Sequence, residues 1–403
     1  MNSSAFAPLA FILNQFPIFA STAAPAATLS TEGFSNATIG TSTGGGSICI
    51  SGDVLVSINT TGTKILYTPP QDQMGVKESF VELFQVDSTF AAQAIAGGPS
   101  IISGDYSIFV KLCLPSDIEN STTQLKTVQL LTHGATLDHT YWDIAPGHSY
   151  IDVATAAGYA TLSYDQLGVG NSDHPDPIQI VQATSQVAVT HELVRLLRGA
   201  KLGGFEFEKV VGVGHGAGST LTQAITTQYP EDFDAVVISG TSTSAASVAL
   251  SVAAFNFVNA NTDSAAKLKD LPVGFLTQQT AAGIQFAFYR YPNFDEKAFQ
   301  EQITNKQTNT LGVLLTLGGI VAPSTQFTGP VDVVNGENDL VFCGGNCIYP
   351  TDQNSAVLSF FYPAASSGSQ TYIARGSGHA IAAHKTGPDS FKQIIQFLQA
   401  SSL

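Results

Sequence analysis

The sequence predicts an α/β protein with a mostly parallel central sheet and a helical cap inserted before the strand that leads to a candidate acidic site residue. Three observations support this prediction. Segments that alternate apolar and polar residues come first, short apolar runs separated by helical stretches follow residue 125, and residues 242–319 have helical periodicity without a buried strand. A chain of 403 residues is long enough for such a sheet and cap.

The first part of the sheet is predicted from alternation. Residues 48–58, 64–67 and 106–114 alternate apolar with polar side chains and are rich in β-branched residues. This pattern is typical of antiparallel strands with one solvated face. We therefore expect these three strands to form one edge of the sheet.

The parallel part of the sheet is predicted from five short apolar runs that each end at glycine, aspartate or a polar turn: 128–131, 160–164, 210–213, 235–239 and 331–334. Helices follow most of these runs, most clearly at 178–197, which carries one apolar stripe. A strand at 372–374 and a helix at 390–399 come later. Because right-handed crossovers place the carboxyl ends of parallel strands along one edge, we expect the site residues there.

The predicted organisation has five parts. Residues 1–24 resemble a secretory signal peptide, because a mostly apolar run is followed by small residues, although no lysine or arginine precedes Lys64. Residues 25–47 are rich in serine, threonine and glycine and are predicted to be a flexible segment. The core is expected to comprise residues 48–241 and 320–403, with the cap at 242–319 between them.

The predicted cap carries seven aromatic side chains: Phe255, Phe257, Phe275, Phe286, Phe288, Tyr289 and Tyr291. Such rings are suited to covering an apolar pocket. They would equally well pack the cap onto the core, and the sequence leaves both roles open.

The composition limits the classes of partner that the protein is expected to bind. The formal net charge is −15 and the sequence contains no basic cluster, which argues against nucleic acid and anionic lipid surfaces. No internal apolar run approaches the roughly 18 to 20 residues of a membrane span. No motif indicates a metal ion or another cofactor, so we expect neither.

Cysteines and sequons are consistent with a secreted protein. Cys343 and Cys347 are close neighbours, while Cys49 and Cys113 lie in predicted strands near the N-terminal edge of the sheet, so two disulfides are expected. The Cys-x3-Cys pair lacks a second pair with zinc-binding spacing. Three Asn-x-Ser/Thr sequons are candidate glycosylation sites, at Asn36, Asn59 and Asn120.

The sharpest motif lies at residues 210–219, where a predicted strand enters a predicted helix through a Gly-x-Nu-x-Gly turn. Gly214 and Gly218 allow the strand and the helix to approach closely, and the central residue takes a strained backbone conformation. That residue is Gly216, so the nucleophilic side chain is missing. His215 is expected to line the pocket or to serve in packing. With the order of the strands, this motif makes the chain from about residue 128 onward resemble the α/β-hydrolase family, in particular secreted fungal-type serine hydrolases.

The resemblance implies an oxyanion loop at His133 and Gly134, directly after the strand at 128–131. The backbone N–H groups of Ala135 and Ala217 would then face the developing oxyanion. An ordinary strand-ending turn is the alternative at this position. Residues 164–172 resemble the family's Asp-x-x-Gly-x-Gly-x-Ser loop, which we expect to be scaffold.

The resemblance also implies an acid and a base. Residues 336–339, Gly-Glu-Asn-Asp, match the family's Gly-x-x-Asp and make Asp339 the acid, with Glu337 and Asp332 as competitors. His379, in the Gly-Ser-Gly-His segment 376–379, is the predicted base, because the order nucleophile, acid, histidine is that of the family. His384 is its nearest rival and is expected at the surface or in a helix turn.

Three explanations of Gly216 remain open at this stage. The chain is an inactivated serine hydrolase, an enzyme that uses His379 and Asp339 without a serine to deprotonate a substrate or activate water, or a non-catalytic binding protein. Ser219 does not restore the motif, because Ala217 and Leu221 occupy the positions that would need glycine. The resemblance implies a small apolar substrate or ligand with a carbonyl group, such as an ester or lactone, and by analogy a natural-product pathway.

Overall fold

The computed structural model describes residues 29–118 and 125–403. The predicted signal peptide at 1–24 and the sequon at Asn120 lie outside the described residues. The described residues form twelve strands: β1 (Ser35–Thr41), β2 (Ser47–Thr63), β3 (Pro99–Pro115), β4 (Thr127–Thr132), β5 (Ala160–Tyr164), β6 (Lys209–His215), β7 (Ala235–Ser239), β8 (Val258–Asn259), β9 (Phe275–Thr277), β10 (Thr308–Thr310), β11 (Val331–Gly336) and β12 (Gln370–Ala374).

Helices cover the sheet and build much of the cap. Over the described part of the chain the α-helices are α1 (Gln73–Phe84), α2 (Phe90–Ala94), α3 (Tyr150–Ala156), α4 (Ala183–Arg198), α5 (Ala217–Gln228), α6 (Val248–Phe255), α7 (Ala281–Phe288), α8 (Glu296–Asn305), α9 (Leu311–Thr316), α10 (Leu340–Cys343), α11 (Gln353–Phe361) and α12 (Gly387–Ala400). No described helix is both long and apolar enough to cross a membrane.

The predicted α/β architecture is confirmed. Nine strands form one sheet in the order β1-β2-β3-β5-β4-β6-β7-β11-β12. Pairing is antiparallel from β1 to β5 and parallel from β5 to β12. Five of the six parallel strands, β4 to β7 and β11, are buried along almost their whole length, which explains their continuous apolar runs. Their carboxyl ends share one edge of the sheet, as expected.

The two predicted disulfides are present. Cys49 of β2 and Cys113 of β3 are directly opposite each other in the antiparallel ladder and are bonded. Cys343 and Cys347 are bonded across the loop that follows β11. A strand pair brings the first two sulfurs together, and short sequence separation brings together the second two.

The N-terminal part of the prediction needs two corrections. Residues 35–41 of the predicted flexible segment form β1, which pairs with β2 at the edge of the sheet. Residues 64–67 are not a strand, because the chain leaves β2 after Thr63. The Lys64 and Leu66 N–H groups donate to the carbonyls of Gly98 and Ala94, and the Ile65 N–H donates to the Gln179 side chain. Local composition does not reveal whether a neighbouring backbone edge is available.

The predicted helix at 178–197 begins later, at Ala183. The Asp176 carboxylate accepts the N–H groups of Ile178 and Gln179, both at 2.8 Å, and holds this stretch as a turn. The Ser185 hydroxyl then accepts the Gln182 N–H at 3.0 Å and starts the helix. The predicted strand at 372–374 and helix at 390–399 lie within β12 and α12.

The cap region 242–319 is not purely helical. It contains α6 to α9 and a small antiparallel sheet of β10, β9 and β8, whose residues are all buried. Each strand has only two or three residues, which is too short for an alternation pattern to be recognised. The prediction of a cap without a buried strand was therefore wrong.

Candidate active site

The turn between β6 and α5 has the geometry that the motif predicts. Gly216 precedes the first residue of α5 with φ 56° and ψ −121°, in the region where side chains cause strain. Its N–H donates to the Ser239 carbonyl at 2.9 Å, and its carbonyl accepts the Ser219 N–H at 3.0 Å. These bonds hold the turn at the carboxyl edge of the sheet.

The flanking glycines are required by close backbone approach. A Cβ on Gly214 would lie 2.6 Å from the Gly218 carbonyl oxygen, and one on Gly218 would lie 2.2 Å from the Thr132 carbonyl oxygen. Both distances are far below van der Waals contact. The elbow therefore packs directly against the end of β4, where the predicted oxyanion loop begins.

The predicted base lies directly at Gly216. An ideal Cβ on Gly216 would be 3.0 Å from His379 Nε2, the nearest heavy atom. His379 Nδ1 is 2.7 Å from Asp339 Oδ2, and both side chains are buried. Since a carboxylate only accepts, Nδ1 carries the proton in the neutral imidazole and Nε2 is left as the basic nitrogen. No described residue hydrogen-bonds to Nε2.

Contacts between two loops hold the His379 and Asp339 side chains in place relative to each other. The Asn338 N–H donates to the Ser377 carbonyl at 2.8 Å, and a Cβ on Gly336 would lie 2.1 Å from the Gly378 carbonyl oxygen. The remaining Asp339 oxygen, Oδ1, accepts the Phe342 N–H at 3.0 Å and starts α10. The Cys343–Cys347 disulfide closes the same loop.

Neither competing acid reaches His379. The Glu337 carboxylate accepts the Gly376 N–H at 2.9 Å and pairs with Arg375 at 2.8 Å. The Gly376 N–H and the Arg375 guanidinium hold the pKa of Glu337 below its usual range. Asp332 is the second residue of β11 and faces the interior. Its two oxygens have no described hydrogen-bond partner within 3.5 Å, and the side chains of Gln370 and Gln393 lie near them.

Burial raises the pKa of Asp332 from 3.8 to about 7. Since the folded chain binds this proton more tightly than the unfolded chain, the stability gained is fully present below about pH 4 and is lost as the pH rises through about 7. We expect Asp332→Asn to have a larger free energy of unfolding than wild type at pH 8. The difference between the two proteins should fall by on the order of 4 kcal/mol between pH 8 and pH 4. Urea unfolding at both pH values measures this change, with Asp270→Asn at an exposed position as control. An advantage that does not depend on pH would contradict the prediction.

His384 is fully buried at the end of the 3₁₀ turn Ile381–Ala383, so the expected helix-turn position is confirmed and the surface position was wrong. Its Nε2 accepts two backbone N–H groups, from Gly378 at 2.9 Å and Arg290 at 3.1 Å, while Nδ1 faces the Ala380 carbonyl at 2.8 Å. Burial lowers its pKa to about 4. This neutral histidine ties the loop of His379 to the cap, a role that depends on tertiary packing and has no sequence signal.

His215 packs beneath the base, as expected. Its ring stacks on Tyr141 with centroids 4.4 Å apart and lies 4.6 Å from the His379 ring. Its Nδ1 is 3.1 Å from the Ser239 hydroxyl. Burial, and next the nearby His379, lower the pKa of His215 well below its usual range. A neutral ring at this position supports His379 without adding positive charge.

Hydrogen bonds from neighbouring residues hold the His133-Gly134 turn in place. The His133 ring is buried, its Nε2 accepts the Gln166 N–H at 3.1 Å, and the Gln166 side chain donates to the His133 carbonyl at 2.6 Å. The loop at 164–172 therefore acts as scaffold for this turn. The Ala135 N–H has no acceptor among the described residues, and the Ala217 N–H is the first of α5, which has no acceptor within its helix.

The Ser219 side chain has a structural role. Its hydroxyl donates to the Ser239 carbonyl at 2.7 Å and accepts the Ser239 N–H at 2.9 Å. The side chain is buried inside the first turn of α5. It thus has neither the access nor the free proton that a nucleophile needs.

A cavity of about 290 Å³ opens beside these groups. It reaches Ala135, Ala217 and His379, and its other walls are mainly apolar: Val248, Val252, Phe255, Phe257, Phe288, Val313, Leu314, Leu317, Val321, Val341 and Phe342. Three of the seven predicted aromatic rings therefore cover the cavity. Phe286 and Tyr291 are exposed, while Phe275 and Tyr289 pack within the fold.

One cluster of metal-ligating side chains occurs among the described residues, at Asp138, His139 and Asp165. Its atoms already have partners in the protein. Asp165 Oδ1 is 2.6 Å from His139 Nδ1, and its Oδ2 accepts the Asn171 N–H at 2.9 Å. Asp138 Oδ2 accepts the Gln307 amide at 2.6 Å. The cluster joins the oxyanion loop, the scaffold loop and the cap.

Comparison with known proteins agrees with this fold. The family model described as alpha/beta hydrolase family matches residues 129–389. A solved esterase from Thermogutta terrifontis is similar with a TM-score of 0.51 and 13% identity, covering 74% of this chain and 96% of its own. An alpha/beta hydrolase fold protein from Chitinophaga pinensis has a TM-score of 0.49 and 14% identity, covering 73% of this chain and 94% of its own.

A laboratory-evolved variant of a potato epoxide hydrolase has a TM-score of 0.47 and 14% identity, covering 73% of this chain and 96% of its own. No curated protein matches the chain. At 13% identity the Thermogutta terrifontis structure supports the fold alone, whereas the family model spans well over half of the sequence. The chain belongs to the α/β hydrolase family.

Proposed function

We propose that this protein is an enzyme that uses His379 as a general base on a small, neutral carbonyl compound, without forming a covalent acyl-enzyme. The observation that carries the proposal is the 3.0 Å distance between His379 Nε2 and the position of a Cβ on Gly216. In a serine hydrolase the serine hydroxyl would stand between the base and the substrate. With glycine there, Nε2 faces the ligand directly.

The Asp339 contact supports a working base. The carboxylate is buried, 2.7 Å from His379 Nδ1, and is held at its other oxygen by the Phe342 N–H. This arrangement fixes the tautomer with a free Nε2 and stabilises the imidazolium that forms when Nε2 takes a proton. A protein that only binds a ligand would use Asp339 as the cap of α10 but would not need its other oxygen to fix a histidine tautomer.

The free N–H groups of Ala135 and Ala217 support a carbonyl substrate. Both residues border the cavity together with His379. Two backbone donors at one point stabilise an oxygen that gains negative charge, and backbone donors cannot reorient as side chains can. A substrate carbonyl oxygen placed there would bring its α-carbon towards Nε2.

The walls of the cavity support a small apolar skeleton. Its volume of about 290 Å³ is at the lower end of ligand pockets, which typically measure ~300–1,000 Å³. Aromatic and branched aliphatic side chains form most of the lining, and no lysine or arginine of the described residues borders it. An ionised ligand would therefore lose its hydration without gaining an opposite charge.

The proposed step is proton abstraction. His379 Nε2 takes a proton from the carbon next to the carbonyl, the electron pair of the broken C–H bond forms an enolate, and its oxygen is held by the two N–H groups. The imidazolium then returns a proton to carbon, so that no atom is gained or lost. Activation of a water by the same base, followed by hydrolysis, is the competing use of this geometry.

A single probe separates the two reactions. α-Phenyl-γ-butyrolactone is neutral, mainly apolar, and carries both an α-hydrogen and an ester bond. In D₂O we expect the wild-type chain to catalyse deuterium incorporation at the α-carbon, measured by NMR, and to lose this activity in Asp339→Asn, which no longer fixes the required tautomer. Opening of the lactone ring without exchange would replace the proposal with hydrolysis. Binding without either reaction would favour a binding protein.

We also propose that the chain is secreted and glycosylated. Two disulfides within the described residues support an oxidising compartment. Asn59 lies exposed on β2, and Asn36 lies exposed on β1. Both positions are therefore accessible to a glycosyltransferase.

A further inference from the structure

The cap segment 307–310, which contains β10, is bonded directly to the oxyanion loop and to neighbouring parts of the core. The Gln307 N–H donates to the Thr136 carbonyl at 3.0 Å, and the Gln307 side chain donates to Asp138 at 2.6 Å. The Thr308 hydroxyl donates to the Gly168 carbonyl at 2.7 Å, and the Thr310 hydroxyl donates to the Val181 carbonyl at 3.0 Å. These bonds fix Asn309, which lies between the two threonines, beside Ala135.

The orientation of the Asn309 amide follows from a hydrogen bond to the backbone of the next residue. Asn309 Oδ1 accepts the Thr310 N–H at 2.8 Å, which identifies the oxygen and leaves Nδ2 on the other side. No described residue accepts a hydrogen bond from Nδ2. The residue is only 8% exposed, yet it borders the 290 Å³ cavity with Ala135, Ala217 and His379, and also the smaller adjoining cavity lined by His133 and Gly134.

We propose that Asn309 Nδ2 is a third hydrogen-bond donor to the ligand carbonyl oxygen, supplied by the cap. This inference rests on the proposed function for the identity of the ligand as a neutral carbonyl compound. A carbonyl oxygen has two lone pairs, and an enolate oxygen accepts up to three hydrogen bonds, so a third donor matches the charge that develops. The side chain therefore selects ligands with a carbonyl oxygen.

The donor set then spans the core and the cap. Ala217 belongs to the elbow, Ala135 to the loop after β4, and Asn309 to the cap strand. A cap that moves away from the core would remove Asn309 and uncover the cavity together. The bonds from Gln307 to Thr136 and Asp138 thus position a donor as well as attach the cap.

Infrared spectroscopy of bound α-phenyl-γ-butyrolactone with a ¹³C-labelled carbonyl tests this inference. Each hydrogen bond to the oxygen lowers the C=O stretching frequency. Asn309→Asp keeps an oxygen for the Thr310 N–H but removes the donor, and Asn309→Ala removes both. For either variant we expect the bound C=O band at a higher frequency than in wild type. Binding should be about tenfold weaker in Asn309→Ala, the effect of one hydrogen bond, and weaker still in Asn309→Asp, whose carboxylate also places a negative charge near the carbonyl oxygen.

Asn346→Asp is the matched control, because exposed Asn346 also bonds a nearby backbone N–H through Oδ1, that of Ile348, and lies outside the cavity. It should leave the band unchanged. A wild-type band position in both folded Asn309 variants, or no binding of the lactone to wild type, would overturn the inference. An Asn309-dependent band without deuterium exchange would refute the proposed reaction and leave the third donor standing.

Discussion

Replacing Gly216 with serine is expected to convert a chain that a fluorophosphonate does not label into one that it labels stoichiometrically. The backbone at residue 216 already has φ 56° and ψ −121°, the strained conformation that places a nucleophile above the sheet. The new Cβ would lie 3.0 Å from His379 Nε2, so the imidazole must move by a few tenths of an ångström. The nearest atom of any other residue, the Gly134 Cα, lies at an ordinary van der Waals distance of 3.7 Å.

Controls distinguish an activated serine from a merely present one. Gly216→Ser combined with His379→Ala should not be labelled, because the hydroxyl then lacks its base. Gly368→Ser, at an exposed glycine, should not be labelled either. Since a side chain at positive φ costs about 1–2 kcal/mol, Gly216→Ser should also melt at a lower temperature than wild type. A folded Gly216→Ser variant that stays unlabelled would show that the remaining groups do not form a working hydrolase site.

Replacing His379 with alanine is expected to lower the rate of α-deuterium exchange by roughly 10²–10⁴-fold, the usual contribution of a positioned general base. His191→Ala is the matched control. His191 Nδ1 is 2.6 Å from Asp232, so it also forms a histidine–carboxylate pair, but this pair joins α4 to the loop before β7 and does not border the cavity. We expect the control to exchange at the wild-type rate.

The two variants also separate chemistry from binding. His379→Ala keeps Ala135, Ala217 and the apolar walls, so the lactone should still bind within a few-fold of wild type. Unchanged exchange in His379→Ala would mean that another group removes the proton. Loss of binding together with exchange would mean that the imidazole serves mainly as a wall of the cavity.

Short motifs at the ends of strands predict part of this site from the sequence. Gly214, Gly216 and Gly218 were identified because a tight strand-to-helix turn restricts residue type so strongly. The positions of Asp339 and His379 followed from their order after recognisable strands. Their 2.7 Å contact could not be derived from the sequence, since it depends on how two loops 40 residues apart pack together.

The parts that the sequence did not reveal depend on contacts between distant segments. His384 looks like an ordinary polar residue near a helix, and only the backbone N–H groups of Gly378 and Arg290 make it a buried acceptor. Asn309 lies in a strand of three residues, too short to predict. β1 forms because the edge of β2 is free to pair, although its own composition predicts a flexible segment.

The central claim is that the base acts on the ligand directly because no serine separates them. A crystal structure of wild type with bound α-phenyl-γ-butyrolactone tests it most directly. We expect the carbonyl oxygen within hydrogen-bond distance of the Ala135 and Ala217 N–H groups, and the α-carbon about 3–3.5 Å from His379 Nε2. A lactone bound with its α-carbon turned away from Nε2, or outside the cavity, would contradict this account.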